Sequence, residues 1–177
     1  MTQRNNPWQE TDAANQLRPE LNKEVFESLS DWEFMWSFLE PIDNADDDKQ
    51  ELDLIKQFSA GQKAIYFFWF LDEAVTNVGF IQFYYMELDR YLPPIMEGLK
   101  LIGDNELLKL IEEAEQEYTL QYDVFALQKK CNDWNPLYQN LRNFEEFDDV
   151  YYSLRDKTIA LFENYARTHL SEFGTLK

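Results

Sequence analysis

Clustered carboxylates are the residues of this sequence whose type and spacing point most directly to chemistry. The chain of 177 residues holds 34 Asp and Glu against 16 Lys and Arg, which gives a formal net charge of −18. The acids are densest in residues 43–53, 104–123 and 145–149, where Lys49 and Lys109 are the only bases. Such groups attract cations or basic proteins, or they keep a surface soluble.

The sign of the charge narrows the choice of partner. A chain this acidic is repelled by nucleic acids and by anionic lipids, so we expect neither direct nucleic-acid binding nor membrane binding. A DNA-binding protein, a basic peptide or a metal cation would supply the opposite charge. We therefore expect a basic protein as the partner.

The spacing of the acids fits an extended row of negative charge. Carboxylates four residues apart on a helix, such as Glu113 and Glu117, lie about 6 Å from each other, and the phosphates along one DNA strand have a comparable spacing. A row of Asp and Glu can therefore imitate a phosphate backbone, although a merely solvated surface is the alternative. The candidate partner-binding residues are Asp46, Asp47, Asp48, Glu112, Glu113, Glu115 and Glu117.

The sequence lacks the residue patterns of common metal sites and catalytic sites. The acids between Asp43 and Asp48 lack the glycine and the terminal glutamate of a calcium-binding loop. The chain has one cysteine and one histidine, which is too few for a typical zinc site. The single histidine, His169, lies near the end of the last predicted helix, where a cation favours the helix dipole. We predict no metal, no cofactor and no catalytic residue.

The elements that carry these acids are predicted to be helices. Hydrophobic residues make up 45% of the chain and aromatic residues 16%, which is enough for the core of one domain. Five glycines and six prolines are few for a β-sandwich or barrel. We predict an all-α fold, with a flexible or loosely docked arm at residues 1–18, anchored by Trp8, and a single globular domain at residues 19–177.

Apolar periodicity and capping residues place the helices along the chain. Residues 64–71 are apolar on every side, which predicts a helix at the centre of the domain with Phe68, Trp69 and Leu71 buried. Ser59 is predicted to cap this helix. Other helices are predicted from Pro19 to before Pro41, over 49–58, from Pro93 to Gly103, from an Asp104 cap to about Glu117, along an inward stripe of Leu120, Val124, Leu127 and Cys131, and over 147–165.

A short stretch from Asn77 to Phe83 interrupts the central apolar segment. Gly79 breaks the helix and would allow a positive φ or a close approach of two helices. Asn77 is predicted to cap the short helix that follows, and Gln82 to hydrogen-bond in an apolar setting. These residues are predicted to build the core rather than to bind a partner. The structural signature comprises Asn77, Gly79, Phe80, Gln82 and Phe83.

This stretch resembles the Asn-Gly-Gly-Phe-x-Gln-Phe signature of a bacterial family whose named member is a DNA-mimic protein. Val78 stands where that signature has its first glycine. The order of segments is also similar over residues 54–117, because Leu99-Lys-Leu-Ile-Gly-Asp104 and an alanine-bearing helix follow. The resemblance implies an acidic, all-helical fold and, for the named member, binding to a transcription factor.

We therefore expect an acidic binding protein that imitates DNA and blocks a basic DNA-binding partner such as a transcription factor. An immunity or assembly factor with another basic partner is the first alternative, and a carboxylate-based enzyme is the second. An exposed aromatic patch would support a homodimer. The sequence opens without a signal-peptide pattern and has no uninterrupted apolar run of membrane-spanning length, so we expect a cytoplasmic protein.

Overall fold

Helices make up nearly all of the regular structure. The computed structural model describes residues 8, 10–39 and 48–177. The prediction of an all-α, single-domain fold is confirmed, with two strands of two residues each that pair in parallel. The elements in chain order are β1 (Glu20–Leu21), α1 (Lys23–Ser28), α2 (Asp31–Leu39), α3 (Asp48–Ile55), α4 (Ala60–Tyr85), α5 (Leu92–Ile102), α6 (Asn105–Leu120), α7 (Tyr122–Cys131), α8 (Asn135–Asn140), α9 (Asn143–Thr168) and β2 (Thr175–Leu176).

The central helix of the domain is α4, which packs against α2, α5 and α9. Phe68 and Leu71 are buried in the core as predicted, but Trp69 is only half-buried because it lies on a part of α4 that its neighbours leave open. By length and composition α4 could cross a membrane, yet most of its apolar side chains are buried within the domain. Its crossing with α5 is close, since a Cβ on Gly98 would lie 2.9 Å from Ala64 Cα.

Local capping signals set several helix ends as the sequence predicts. The Ser59 hydroxyl accepts the Gln62 N–H at 3.0 Å, and the Gln62 side chain accepts the Ser59 N–H at 2.9 Å. This reciprocal capping box satisfies two backbone donors at the start of α4. At the end of α5, Gly103 adopts a left-handed conformation with φ of 77°, which a glycine takes without a steric cost.

The kink in α4 lies at Gly79, where φ is 81° and ψ is 177°. This conformation frees the backbone N–H of Phe80, which donates to Asp148 Oδ1 on α9 at 2.8 Å. The predicted capping role of Asn77 is wrong, because its side-chain amide donates back to the Glu73 carbonyl at 2.8 Å. A carboxylate distant in sequence therefore caps the second half of α4.

Two tyrosines satisfy the carbonyl groups on the other side of the kink. The Tyr138 hydroxyl on α8 donates to the Val78 carbonyl at 2.9 Å, and the Tyr152 hydroxyl on α9 donates to the Thr76 carbonyl at 3.0 Å. Buried backbone groups that lose their helical partners need such replacements. The kink therefore depends on side chains from the last third of the chain.

The region from Pro19 to Pro41 does not form one helix as predicted, because β1, α1 and α2 occupy its described part. Arg167 on α9 donates to the carbonyls of Phe26 at 3.0 Å and Leu29 at 2.6 Å, and its guanidinium lies 4.3 Å from the centre of the Phe34 ring. These carbonyls accept hydrogen bonds from Arg167 and not from backbone N–H groups of a following helical turn, so α1 ends here. A tertiary contact thus overrides the local helical pattern.

The inward stripe predicted for α7 is also wrong. Leu120 is 78% exposed and Leu127 is 56% exposed, and Cys131 lies on the surface. Within α7, only Phe125 is fully buried, with its ring 5.0 Å from that of Tyr118. Because α7 begins at Tyr122, Leu120 belongs to the exposed side of α6. The buried side of α7 is therefore the side of Phe125, not the side of Leu127 and Cys131.

A buried polar network joins α4 to α9. The Tyr151 hydroxyl donates to Asp72 Oδ1 at 2.8 Å, and Arg155 binds the same carboxylate through Nε at 2.6 Å and Nη2 at 2.9 Å. Burial, followed by the charge of Asp72, raises the pKa of Tyr151 well above its ordinary value. These bonds fix the rotation of α9 on α4, and with it the side that α9 turns to solvent.

Candidate acidic interface

The four predicted contact residues of α6 fall on two sides of its exposed surface. Each residue of an α-helix advances by about 100°, so Glu113 and Glu117 form one row and Glu112 and Glu115 form another. Glu112 and Glu113 are exposed, whereas Glu115 and Glu117 are partly buried. We call Glu113 and Glu117 the inner row, and Glu112 and Glu115 the outer row.

A buried carboxylate holds the start of α6. Asp104 accepts the Leu107 N–H through Oδ1 at 3.1 Å and the Thr158 hydroxyl of α9 through Oδ2 at 2.6 Å. The cap that the sequence predicts is therefore also a contact with α9. Because α6 packs on the core through its buried side, both rows face solvent. The buried residues are Leu107, Leu110, Ile111, Ala114 and Tyr118.

The inner row lies on the side of α6 that faces α9. Lys157 on α9 pairs with Glu106 at 2.8 Å, and the Asn143 side-chain amide donates to Glu117 Oε1 at 3.4 Å. These two contacts show that α6 and α9 run antiparallel along this edge. Glu146 lies one turn beyond Asn143 and is exposed, so it extends the negative edge onto α9.

Protein cations neutralise little of this charge. Lys109 lies 3.2 Å from Glu113, and both side chains are largely exposed, so solvent screens the pair and its worth is about 0–1 kcal/mol. Glu117 accepts the Gln121 side-chain amide at 3.2 Å. Within the described part of the chain, Glu112 forms no ion pair. Glu112, Glu113 and Glu117 therefore keep most of their negative charge available to a partner.

The first acidic group, residues 43–53, is described only in part. Asp46 and Asp47 lie outside the described residues, and only the backbone of Asp48, which opens α3, is described. Glu51 accepts the Tyr66 hydroxyl at 2.7 Å, and Asp53 lies 3.8 Å from Lys56. The predicted contact role of Asp46, Asp47 and Asp48 stays a prediction.

The third group, residues 145–149, contains one acid that differs from the others. Burial raises the pKa of Asp148 to about 6, the hydrogen bond from Phe80 opposes this, and the charges of Asp149 and Glu145 add to it. Asp148 is half-buried against the kink, whereas Glu145, Glu146 and Asp149 are exposed. Asp148 is therefore a structural residue, and its three neighbours belong to the surface.

A further row of acids runs along the side of α9 that faces away from α6. Glu145, Asp149 and Asp156 are exposed there at helical spacing, and Tyr152 lies among them with 52% of its surface exposed. We call these three acids the α9 stripe. Sequence reasoning did not single out Asp156 or Tyr152, although the spacing of four and seven residues was the available signal.

A small polar pocket opens beside the α9 stripe, between α4 and α9. It has a volume of about 240 Å³. Trp69 lies at one end of the pocket, and the ring of Trp36 on α2 is 6.3 Å from its ring. The sequence did not predict this pocket. The one signal for it in the sequence was a charged residue within the apolar helix α4. The lining residues are Trp69, Asp72, Glu73, Thr76, Asn77 and Arg155.

The signature residues form the kink and the core beneath it rather than the acidic surface. Gly79, Phe80 and Phe83 are buried, and Asn77 is exposed. The Gln82 side chain is partly buried and donates through Nε2 to Met86 Sδ at 3.0 Å, while its Oε1 is buried without a hydrogen-bond partner. The cap assigned to Asn77 is supplied by Asp148 instead, and the structural role predicted for the other four residues stays a prediction.

The remaining candidates for chemistry lie apart from one another. Among residues 8, 10–39 and 48–177, no group of three or more Asp, Glu, His or Cys side chains could hold a metal ion. His169 follows the last residue of α9, and its ring stacks on Tyr165 with centroids 4.1 Å apart. What the described surface offers is rows of separated carboxylates, an arrangement suited to noncovalent recognition of positive charge.

Comparison with known proteins identifies a family for this chain. A family model described as "DMP19-like protein" matches residues 56–169, which is well over half of the chain and includes α4, α6 and α9. The name stands for DNA mimic protein 19. No curated protein and no solved structure matches the chain.

Proposed function

The chain belongs to the DMP19-like family, and on that premise we propose that it imitates the charge of DNA and occupies the DNA-binding surface of a basic protein. The family is named for a DNA-mimic protein. The resemblance of the sequence implies a transcription factor as the partner of the named family member. We propose that this chain also blocks a transcription factor.

One observation carries the proposal: the exposed carboxylates of α6 and α9 follow helical rows that are tied together in a fixed geometry. The Asp104–Thr158 hydrogen bond of 2.6 Å and the Lys157–Glu106 pair of 2.8 Å hold one helix against the other. Neighbouring carboxylates within a row are separated by about 6 Å, a spacing close to that of phosphates along a strand. A rigid array of this kind can replace DNA without reorganising, which favours tight binding.

We assign different roles to the inner row, the α9 stripe and the outer row. The inner row and Glu146 lie along one edge of α9, and the α9 stripe lies along its other side, so a partner that embraces α9 would meet negative charge on both sides. The outer row lies farther from α9 on α6. We propose that the inner row and the α9 stripe make the primary contact and that the outer row steers the partner from a distance.

Two further properties belong to the same proposal. We propose a cytoplasmic location, where a transcription factor would be met. We also propose that the exposed apolar residues of α7, chiefly Tyr122 and Leu127, support a homodimer, since a large apolar patch on a monomer often marks an interface.

A competition assay tests the proposed function. Basic DNA-binding proteins from the source cell are mixed with fluorescently labelled DNA, and the purified chain is titrated in at two salt concentrations. We expect displacement of the DNA from at least one of these proteins, and a steep loss of displacement at high salt because exposed charge pairs are screened over about 8–10 Å. Failure to displace DNA from any of them at low salt argues against mimicry.

Paired neutralisations locate the contact surface. Glu113→Gln with Glu117→Gln removes the inner row, Asp149→Asn with Asp156→Asn weakens the α9 stripe, and Glu24→Gln with Glu27→Gln is a matched control on α1. At about 0.2–1 kcal/mol for each exposed pair, removing a row of two should weaken competition about 2- to 30-fold. The control should compete like the wild type, and equal affinities for all three variants would reject contact through these residues.

A further inference from the structure

We infer that the kink in α4 is a two-state hinge, at which Asp148 and Tyr152 of α9 compete with one hydrogen bond of the helix itself. In a regular α-helix the N–H of Phe80 would donate to the carbonyl of Thr76, four residues earlier. Here the Phe80 N–H donates to Asp148 Oδ1 at 2.8 Å, and the Thr76 carbonyl accepts the Tyr152 hydroxyl at 3.0 Å. Two side chains of α9 therefore stand in place of a single backbone hydrogen bond of α4.

The residue at the bend can adopt the backbone of either state. Gly79 has φ of 81° and ψ of 177°, and a glycine takes positive φ about as readily as negative φ. Helical angles at Gly79 would return the Phe80 N–H to the Thr76 carbonyl, so that neither backbone group would lack a partner. Straightening α4 at this point therefore exchanges hydrogen bonds and does not simply remove them.

Both competing side chains lie close enough to solvent to leave the kink while α9 stays folded. Tyr152 is 52% exposed, and Asp148 is half-buried. They lie one turn apart on the side of α9 that contacts the kink, so a change of side-chain rotamer would withdraw them. In the straight state both would lie among the acids of the α9 stripe, to which Asp148 would add a fourth carboxylate.

The groups that face the Asp148 carboxyl come from three helices. At the kink, α4 contacts it through the Phe80 N–H. From α8, Tyr138 faces it, and the pKa of Tyr138 is raised by burial and then by the charge of Asp148. On α9 itself, Asp149 and Glu145 act on it with their negative charges. An ionised Asp148 is therefore repelled by its neighbours on α9 and stripped of water by the kink.

The proton on Asp148 selects between the two states. Burial raises the pKa of Asp148 to about 6 in the kinked state, whereas a solvated carboxyl keeps its ordinary pKa of 3.8. The kinked state therefore binds the proton more tightly than the straight state does. Its advantage is fully present below about pH 4 and is lost as the pH rises through about 6.

The hinge would regulate the surface that we assign to the partner. Above about pH 6 a released Asp148 adds a negative charge to the α9 stripe, and at lower pH the same carboxyl is neutral and withdrawn into the kink. A change of charge at an interface acts on the encounter with a charged partner. This consequence rests on the proposed function, whereas the hinge itself can be tested without a partner.

NMR of the full chain identifies the acceptor of the Phe80 N–H. Scalar couplings across the hydrogen bond, from the Phe80 ¹⁵N nucleus, report which carbon carries the accepting oxygen. At pH 5 we expect a coupling to Asp148 Cγ. At pH 8 this coupling should fall to about half or less, and a coupling to the Thr76 carbonyl carbon should appear. A coupling to Asp148 Cγ that is equal at both pH values would overturn the inference.

Three variants distinguish an exchange of acceptors from a local loss of structure. Asp148→Asn cannot ionise but keeps an accepting oxygen, so its Phe80 N–H should stay on that side chain at both pH values. Tyr152→Phe takes the side-chain donor from the Thr76 carbonyl, so the exchange should occur at a lower pH than in the wild type. Tyr122→Phe, which removes an exposed hydroxyl on α7, is the matched control and should behave like the wild type. Exchange in Asp148→Asn, or an unshifted exchange in Tyr152→Phe, would contradict the hinge.

DNA competition then separates the hinge from the proposed function. If both hold, Asp148→Asn should compete about 1.5- to 5-fold more weakly than the wild type at pH 8, and equally at pH 5. Equal competition at pH 8 would reject the regulatory role of the hinge. Exchange of acceptors in a chain that displaces no DNA would support the hinge and reject mimicry, and displacement of DNA without any exchange would do the opposite.

Discussion

The carboxylate of Asp148 lies directly against Gly79, although 68 residues separate Asp148 from the amide that it caps. Asp148 Oδ1 accepts the Phe80 N–H at 2.8 Å, and a Cβ built on Gly79 would lie 2.9 Å from Asp148 Cγ. One side chain of α9 therefore requires a glycine in α4 and also satisfies the amide that this glycine exposes.

Replacing Gly79 by alanine should destabilise the fold. The backbone there has φ of 81° and ψ of 177°, a conformation found almost only in glycine and costing of order 1–3 kcal/mol in other residues. The added methyl group would also overlap the Asp148 carboxylate. Urea denaturation of Gly79→Ala should show a loss of at least about 1–3 kcal/mol.

A double mutant separates the two causes of that loss. Asp148→Ala removes the overlap, so Gly79→Ala should cost less when it is introduced into Asp148→Ala than into the wild type. If the two changes are additive, the overlap has no influence and the strained backbone accounts for the entire loss.

The stability of the domain should carry a pH dependence from Asp148. Burial raises the pKa of Asp148 from 3.8 to about 6 in the folded chain, so the folded state holds this proton at a pH where the unfolded state releases it. The contribution is therefore fully present below about pH 4 and is lost as the pH rises through about 6. Asp148→Asn, which cannot ionise, should be relatively more stable than the wild type at pH 8 than at pH 5. A difference in unfolding free energy that is equal at both values would contradict the assigned pKa.

The Asp72–Arg155 pair should be costly to break from one side. Removing one partner of a buried pair typically costs about 3–5 kcal/mol, and the lower end applies here because the Arg155 side chain is 27% exposed. Arg155→Met leaves the Asp72 carboxylate buried with only the Tyr151 hydroxyl as a partner. The double variant Asp72→Leu with Arg155→Met should recover part of the loss in chemical denaturation. No recovery would indicate that packing, rather than the uncompensated charge, is the main term.

Phe68→Ala should measure the packing of the core around α4. Phe68 is fully buried, and its ring lies 4.9 Å from that of Phe162, so truncation should cost about 3–5 kcal/mol. Leu120→Ala is the matched control, because Leu120 is 78% exposed and its truncation should change the unfolding free energy by no more than about 0.5 kcal/mol. Similar effects of the two changes would place the centre of the core elsewhere.

Short-range signals account for the parts of the fold that the sequence predicted. The Ser59 cap of α4, the end of α5 at Gly103 and the start of α6 at Asp104 all use residues within one turn of the helix end. The kink at Gly79 was predicted for the same reason, because glycine alone tolerates the conformation.

Contacts between distant segments account for what the sequence did not predict. Arg167 ends α1 from a position 138 residues beyond Leu29, and no local pattern around Leu29 contains that information. The apolar phase of α7 was assigned to Leu127 and Cys131, whereas the core recruits Phe125 through contacts with other helices. For the acidic surface, helical spacing separates the two rows of α6, but only the placement of α9 shows which row has charged neighbours.

The dependence of the α4 kink on Tyr138, Asp148 and Tyr152 has a consequence for the order of folding during synthesis. These residues leave the ribosome on the order of several seconds after Gly79 at typical translation rates of roughly 5–20 residues per second. Until then the polar backbone groups on both sides of Gly79 lack their final partners, and the central helix cannot reach its native bend. Asp148 and Tyr152, which complete the α4 kink, lie on α9, and so does the α9 stripe. The core and the negative surface are therefore completed in the same late step, when α9 packs on α4.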